Sequence, residues 1–366
     1  MPDSCSAAPS MPGAALPSVN ATTISPCGNY LVCGTGLGRL HVWRFRKGAS
    51  LEEAPESVAS LKAHGCAIYA LTFTETSAGL LLFSGADEEI RGWRWDALLA
   101  AGQAGSEAPP PAMRLETPRT ALRRGAFPQL SETSALAVDA ASGRLYSAAG
   151  DGNAYAWDLS SQACVSTFAG VGEPLHCLAL CVQRQQLVTG GEDGAVRLWD
   201  VRSADCSQVL RPNAPPLISA AASTSKSHPV GMAGGGGSGG WCGCVAVDDA
   251  ETWLVAGWGD GFLCSIELNS CAVVACMPTA AAPLACCFEP GSDFHLVSVG
   301  AEPGLYHWRL TGELETRATC SSPSALGLAI GRRRSDDTRV IAVGGSEGTV
   351  DMFQETSHRA FTLYVD

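Results

Sequence analysis

A chain of 366 residues that is 46% hydrophobic, with 24 basic against 36 acidic side chains and a formal charge of −12, is too apolar for disorder and too acidic to coat a nucleic-acid backbone alone. Only 16% of residues are charged, 41 are glycine, and no apolar run reaches the roughly 18 to 20 residues that span a bilayer, so a turn-rich soluble chain is expected. No basic residue precedes Arg39, and the 16 cysteines form neither a Cys-x-x-Cys pair nor a Cys-plus-His cluster, which predicts core thiols in a reducing, intracellular compartment.

Along the chain, residues 1–18 are expected to be a disordered tail and residues 19–366 a single domain. Residues 19–25, VNATTIS, open it as a strand. YLVCGTGLGRLHVWRF follows: an apolar strand, a Gly-rich turn and a second strand with Trp43 near its end. The unit returns six times, as LLFSGADEEIRGWRWD with Trp93, LYSAAGDGNAYAWDLS with Trp157, LVTGGEDGAVRLWDVR with Trp199, LVAGWGDGFLCSIELN with Ile266, LVSVGAEPGLYHWRLT with Trp308 and VIAVGGSEGTVDMFQE with Phe353. In the fourth copy, 187–190 and 196–201 are strands around the Glu192-Asp193-Gly194 turn. A strand of period-two alternation precedes it at 175–182. Equivalent inner strands precede other copies at 67–73, 135–139, 242–248, 283–289 and 325–331. A fourth strand follows the anchor, as at 164–170 and, at the end of the chain, 359–365.

Trp157 to Trp199, Ile266 to Trp308 and Trp308 to Phe353 span 42, 42 and 45 residues, the period of WD repeats at about 40–45. Two longer intervals hold insertions, near 100–128 with APPPA at Ala108–Ala112, and near 211–240 with GMAGGGGSGG, both read as surface loops. Seven four-stranded units predict an all-β, seven-bladed WD-repeat β-propeller. Its last blade is completed by the chain's own C-terminus rather than by a borrowed strand.

A buried anchor tryptophan needs a partner for its indole N–H. WD repeats often supply a hydrogen-bonded set of Trp, Ser or Thr, a turn Asp and a His. Thr189, Asp193 and Trp199 occupy three of these positions in the fourth unit, with Val171 where the His would stand. Ser147, Asp151 and Trp157 do so in the third. His64 suits the second, although Ser84 is shifted there by one residue. All are read as structural.

No Gly-x-Ser-x-Gly elbow, phosphate loop or His-Glu-x-x-His helix occurs. GTGLG at Gly34–Gly38 lies in a hairpin turn, and the seven histidines are scattered, His41 and His307 on third strands. The chain is therefore expected to be no enzyme and to hold neither cofactor nor metal. The basic runs Arg332–Arg334 and Arg114–Arg124 read as solvated loops, so direct nucleic-acid binding is not expected.

Several stretches resemble the THO complex subunit 6 family: SPCG at Ser25–Gly28, LHCLAL at Leu175–Leu180, GGEDGAVRLWDVR at Gly190–Arg202, WCGCVAVD at Trp241–Asp248, LTGEL at Leu310–Leu314 and RAFTLYV at Arg359–Val365. The resemblance implies a non-catalytic scaffold of the nuclear THO/TREX assembly, which couples transcription to mRNA processing and export. It further implies docking on other THO subunits, notably subunits 5 and 7, with RNA contact left to partners. LVTGGEDGAVRLWDVR also resembles the sixteen-residue box of WD-repeat substrate receptors for cullin 4 ubiquitin ligases, whose terminal Asp-x-Arg meets the ligase adaptor. Asp200 and Arg202 are the candidates for that contact. In the local alternative, Asp200 ends a strand and Arg202 is a loop charge.

Overall fold

The computed structural model describes residues 17–46, 53–77, 79–104, 107–118, 131–211, 240–292, 294–334, 337–355 and 357–365. They form seven antiparallel four-stranded sheets, each a simple meander. Blade 1 is β1 Val19–Ile24, β2 Tyr30–Thr35, β3 Arg39–Arg44 and β4 Glu56–Lys62. Blade 2 is β5 Ala70–Thr76, β6 Gly79–Gly85, β7 Glu89–Arg94 and β8 Met113–Glu116, with helix α1 Trp95–Ala104 before the last strand. Blade 3 is β9 Thr133–Asp139, β10 Arg144–Ala149, β11 Ala154–Asp158 and β12 Ala163–Phe168. Blade 4 is β13 Leu175–Cys181, β14 Gln186–Gly191, β15 Val196–Asp200 and β16 Cys206–Leu210. Blade 5 is β17 Cys242–Val247, β18 Trp253–Trp258, β19 Phe262–Glu267 and β20 Ala272–Pro278. Blade 6 is β21 Pro283–Phe288, β22 His295–Gly300, β23 Glu302–Arg309 and β24 Leu314–Thr319. Blade 7 is β25 Ala325–Arg332, β26 Arg339–Gly345, β27 Thr349–Glu355 and β28 His358–Tyr364. The seven-bladed all-β propeller expected from the repeat is the fold.

One irregularity repeats with the blades. Between third and fourth strands the register slips at the anchor residue, at Val42/Trp43, Ala156/Trp157, Leu198/Trp199, Ser265/Ile266, His307/Trp308 and Met352/Phe353. Such a bulge bends the strand and increases its twist. Ile266 and Phe353 sit at the same bulge as the tryptophans, so they are the same structural position filled by other apolar residues. In blade 2 the third-to-fourth ladder ends at Gly92↔Met113, one residue short of Trp93.

Apolar residues on both faces of each sheet leave a blade unable to bury itself. Seven buried clusters answer this, each shared between two neighbouring blades. The ring closes between blades 7 and 1 without strand exchange. Val19, Leu31, Trp43 and Phe45 pack there against Val340, Met352, Leu363 and Val365. The Arg333 guanidinium donates to the Arg46 carbonyl at 2.7 Å, and Gly28 (φ 72°) lies so close to Arg332 that a Cβ would sit 2.2 Å from its carbonyl oxygen.

Three expectations need correction. The inner strand of blade 2 runs Ala70–Thr76, not 67–73, because Ile68 is spent crossing the seam, its N–H bonded to the Thr35 carbonyl and its side chain packed on Gly34. The insertion near 100–128 is not one loop. It holds the second half of α1 and strand β8, and its residues from 119 on lie outside the described residues. Arg332–Arg334 is solvated only at its ends: Arg332 and Arg334 are exposed, whereas Arg333 is 1% exposed. Residues 1–16 of the expected tail, 212–239 of the second insertion and 119–124 of the other basic run are outside the described residues.

Helix α1 carries its own sequence signal. Trp95, Leu98, Leu99 and Gly102 recur at helical spacing in an Ala- and Leu-rich stretch, and Asp96 sits in the first turn, where a negative charge suits the helix dipole. Trp95 meets Tyr30 and Phe73 edge-on, ring centroids 5.3 and 5.1 Å away. Gly102 lets the helix lie against Val58 and Ala59 of blade 1. The helix therefore straps blade 2 to blade 1.

Candidate functional site

The anchor bonds come first. The indole N–H of Trp93, Trp157, Trp199 and Trp308 donates to the hydroxyl of Ser84, Ser147, Thr189 and Ser298 at 2.9, 3.0, 2.9 and 2.9 Å. In blade 4, Leu187 pairs with Trp199 and Thr189 with Arg197, so hydroxyl and indole are diagonal neighbours on one sheet face. In blade 2, Leu82 pairs with Trp93 and Ser84 with Arg91, the same diagonal. The shift of Ser84 by one residue is absorbed by a shorter turn and costs no bond.

The turn acids do not join these pairs in blades 3 and 4. Asp193 is held by Arg197 at 2.6 Å and Arg211 at 2.8 Å, and Asp151 accepts from the Tyr155 hydroxyl at 2.5 Å. Glu302 in blade 6 likewise accepts from Tyr306 at 2.8 Å. Each acid clasps the residue four positions on, Asp151 and Asp193 from the turn and Glu302 from the first position of β23. The expected four-part set is therefore two separate devices, an indole–hydroxyl bond and a turn clasp. Val171, in the place of the missing His, packs against the apolar cluster between blades 3 and 4.

Blade 2 alone among the described residues has the linked set. His64, 2% exposed, meets Ser84 at 2.7 Å through Nε2 and Glu89 at 3.3 Å through Nδ1. Glu89 also receives Arg91 at 2.6 Å and Arg114 at 2.7 Å. Burial, helped by the Arg91 charge, lowers the His64 pKa to about 4, against the pull of Glu89. The imidazole is neutral. Ser84, which accepts from Trp93, donates to Nε2, while Nδ1–H donates to Glu89. Glu89 was not legible as a member of this set because it opens the third strand rather than sitting in the turn.

Asp200 and Arg202 are joined to each other. Arg202 grips the Asp200 carboxylate through Nε at 3.2 Å and Nη2 at 2.8 Å, and its backbone N–H adds a third bond at 2.8 Å. These bonds, Arg202 first, hold the Asp200 carboxyl well below the usual carboxylate range. The pair closes the turn after β15. Asp158 does the same after β11, accepting from Ser160 and Ser161. The Arg202 side chain is nonetheless 73% exposed.

The remaining candidates hold no reactive arrangement. The axial channel, a cavity of about 640 Å³, is lined by the inner strands of all seven blades. At the end where these strands begin, His176 bonds Glu192 at 2.8 Å and meets the Trp241 ring at 5.6 Å. His41 stacks on Trp43, and His307 lies between Glu289 at 3.2 Å and Glu315 at 3.1 Å. Among the described residues, no group of His, Cys, Asp and Glu could hold a metal ion.

The WD40 family (WD domain, G-beta repeat) matches residues 162–200, the last strand of blade 3 and the first three strands of blade 4. Over 94% of this chain and 92% of each relative, the sequence is 29% identical to a THO complex subunit 6 homolog of Mus musculus and 28% identical to THO complex subunit 6 of Homo sapiens. THO complex subunit 6 of Arabidopsis thaliana is 29% identical over 85% of this chain and 77% of that protein. The WD40 β-propeller domain of Doa1 superimposes with a TM-score of 0.67 over 94% of this chain and 97% of that one; at 13% identity it speaks to the fold alone. The chain thus resembles THO complex subunit 6 across its whole propeller, not in the generic WD hairpin only.

Proposed function

We propose that this chain is a non-catalytic scaffold subunit of a nuclear THO/TREX-type assembly, serving the coupling of transcription to mRNA processing and export. One observation carries the reading: the likeness to THO complex subunit 6 of two mammals runs through 94% of the chain and 92% of each relative, and so takes in all seven blades. A partner surface spread over several blades would require such full-length likeness. Proposed partners are other THO subunits, subunits 5 and 7 among them. A formal charge of −12 suits protein contact and leaves RNA phosphates to those partners.

Affinity purification of the full chain from nuclear extract, followed by mass spectrometry, tests this. Recovery of THO subunits supports the reading. Recovery of the cullin 4 ligase adaptor without THO subunits overturns it in favour of substrate-receptor work through Asp200 and Arg202. The exposure of the Arg202 guanidinium favours that second reading. Against it, the Asp200 clamp already has a local duty, one that blade 3 performs with serines. Adaptor recovery that is unchanged by Arg202→Ala removes the pair from the contact.

A further inference from the structure

Cys264 on β19 and Cys276 on β20 face each other in blade 5. They are direct cross-strand partners in the ladder, and their sulfurs are 2.9 Å apart. Directly opposed residues of antiparallel strands have Cα atoms about 4.5–5.5 Å apart, inside the window of about 4.4–6.8 Å that a disulfide accepts. The strands would not have to move. Cys264 is fully buried in the cluster between blades 4 and 5, whereas Cys276 is partly open to solvent at the propeller rim.

We propose that Cys264 and Cys276 are a redox modification site, closing to a disulfide that staples the third and fourth strands of blade 5 when a peroxide reaches the rim. The Cys276 thiolate attacks one peroxide oxygen and breaks the O–O bond, leaving Cys276 as a sulfenic acid and releasing hydroxide. The Cys264 sulfur then attacks that sulfur, giving up its thiol proton to the leaving hydroxide as the S–S bond forms. With the two thiol protons the products are one disulfide and two waters, and the peroxide carries away the electron pair. Cys276 is the attacking sulfur because it is the reachable one. A hydrogen bond from the Cys264 thiol also lowers its pKa, while that same contact and burial raise that of Cys264. A low-molecular-weight thiol reverses the step by exchange.

Another close pair supplies the contrast. Cys177 and Cys242 are 3.9 Å apart, but they lie on inner strands of different blades and both are buried. Proximity exists there without access for an oxidant.

The test uses the full chain treated with hydrogen peroxide, its remaining thiols alkylated under denaturing conditions and its peptides mapped by mass spectrometry. A Cys264–Cys276 cross-link two hydrogens lighter than the reduced peptides is expected, with alkylation lost at both positions together and restored by dithiothreitol. In Cys264→Ser, Cys276 should instead be trapped by dimedone as sulfenic acid. The proposal is overturned if Cys276 oxidises while Cys264 stays alkylatable. It is equally overturned if Cys177 and Cys242 cross-link while Cys264 and Cys276 remain free. The wild-type map decides the matter without any variant having to fold.

Discussion

His64 should make the propeller acid-sensitive in a way one substitution can isolate. The imidazole is neutral between Ser84 and Glu89, with Arg91 beside it, and its pKa is lowered from 6.5 to about 4. The unfolded chain therefore binds a proton near pH 6.5 that the folded chain refuses until about pH 4. Stability from this group is complete above the unfolded value and is lost as pH falls through that window, at up to about 1.4 kcal/mol per pH unit. Over the whole window the loss is about 3 kcal/mol, a large part of a typical stability of about 5–15 kcal/mol. His64→Gln keeps a polar group facing Ser84 but cannot titrate. Urea unfolding of both proteins from about pH 7 to about pH 4 gives two stability curves whose difference cancels the other titrating groups. That difference should shrink by about 3 kcal/mol toward the acid end. A pH-independent difference would refute the buried neutral histidine. A difference that grows toward acid would mean that Glu89, not burial, governs the ring.

Four further outcomes follow, three from the seam and the anchors and one from an open glycine. Deleting residues 361–366 strips Leu363 and Val365 from the closing cluster and unpairs Met352 and Val350. At about 1.5–3 kcal/mol per buried aliphatic side chain the cost is about 3–6 kcal/mol, and an unchanged melting temperature would show that the ring does not depend on this strand. Gly28→Ala should cost more than about 1 kcal/mol in urea melts, since a left-handed backbone and the Arg332 carbonyl both oppose the methyl. Gly65→Ala, with nothing within 4 Å of its Cβ, should stay within about 0.5 kcal/mol of wild type. Trp199→Ala should cost about 3–5 kcal/mol, as a buried ring is lost and the Thr189 hydroxyl loses its donor; a loss under about 1 kcal/mol by calorimetry would contradict its place in the core.

The repeating unit was legible because it is local. Two-residue alternation, a turn and an anchor residue lie within one hairpin, so the pattern alone aligns Ile266 and Phe353 with the tryptophans. The bonds from Trp157 to Ser147 and from Trp199 to Thr189 follow from spacing along that hairpin. The Asp151–Tyr155 and Asp193–Arg197 clasps were equally present as four-residue spacings, hidden only by the expectation that the acids belonged with the indoles. Helix α1 is only faintly legible although its apolar positions recur at helical spacing, because such a short pattern becomes a helix only once Tyr30, Phe73 and Ala59 supply a surface to cover. Arg333 buried against Arg46 joins residues from opposite ends of the chain across the closing seam. The sequence by itself determined the blades, since each hairpin's hydrogen bonds and alternation are satisfied within some forty residues. The tertiary structure alone decided how the blades are tied to each other, since those contacts exist only after the ring has brought distant segments into register.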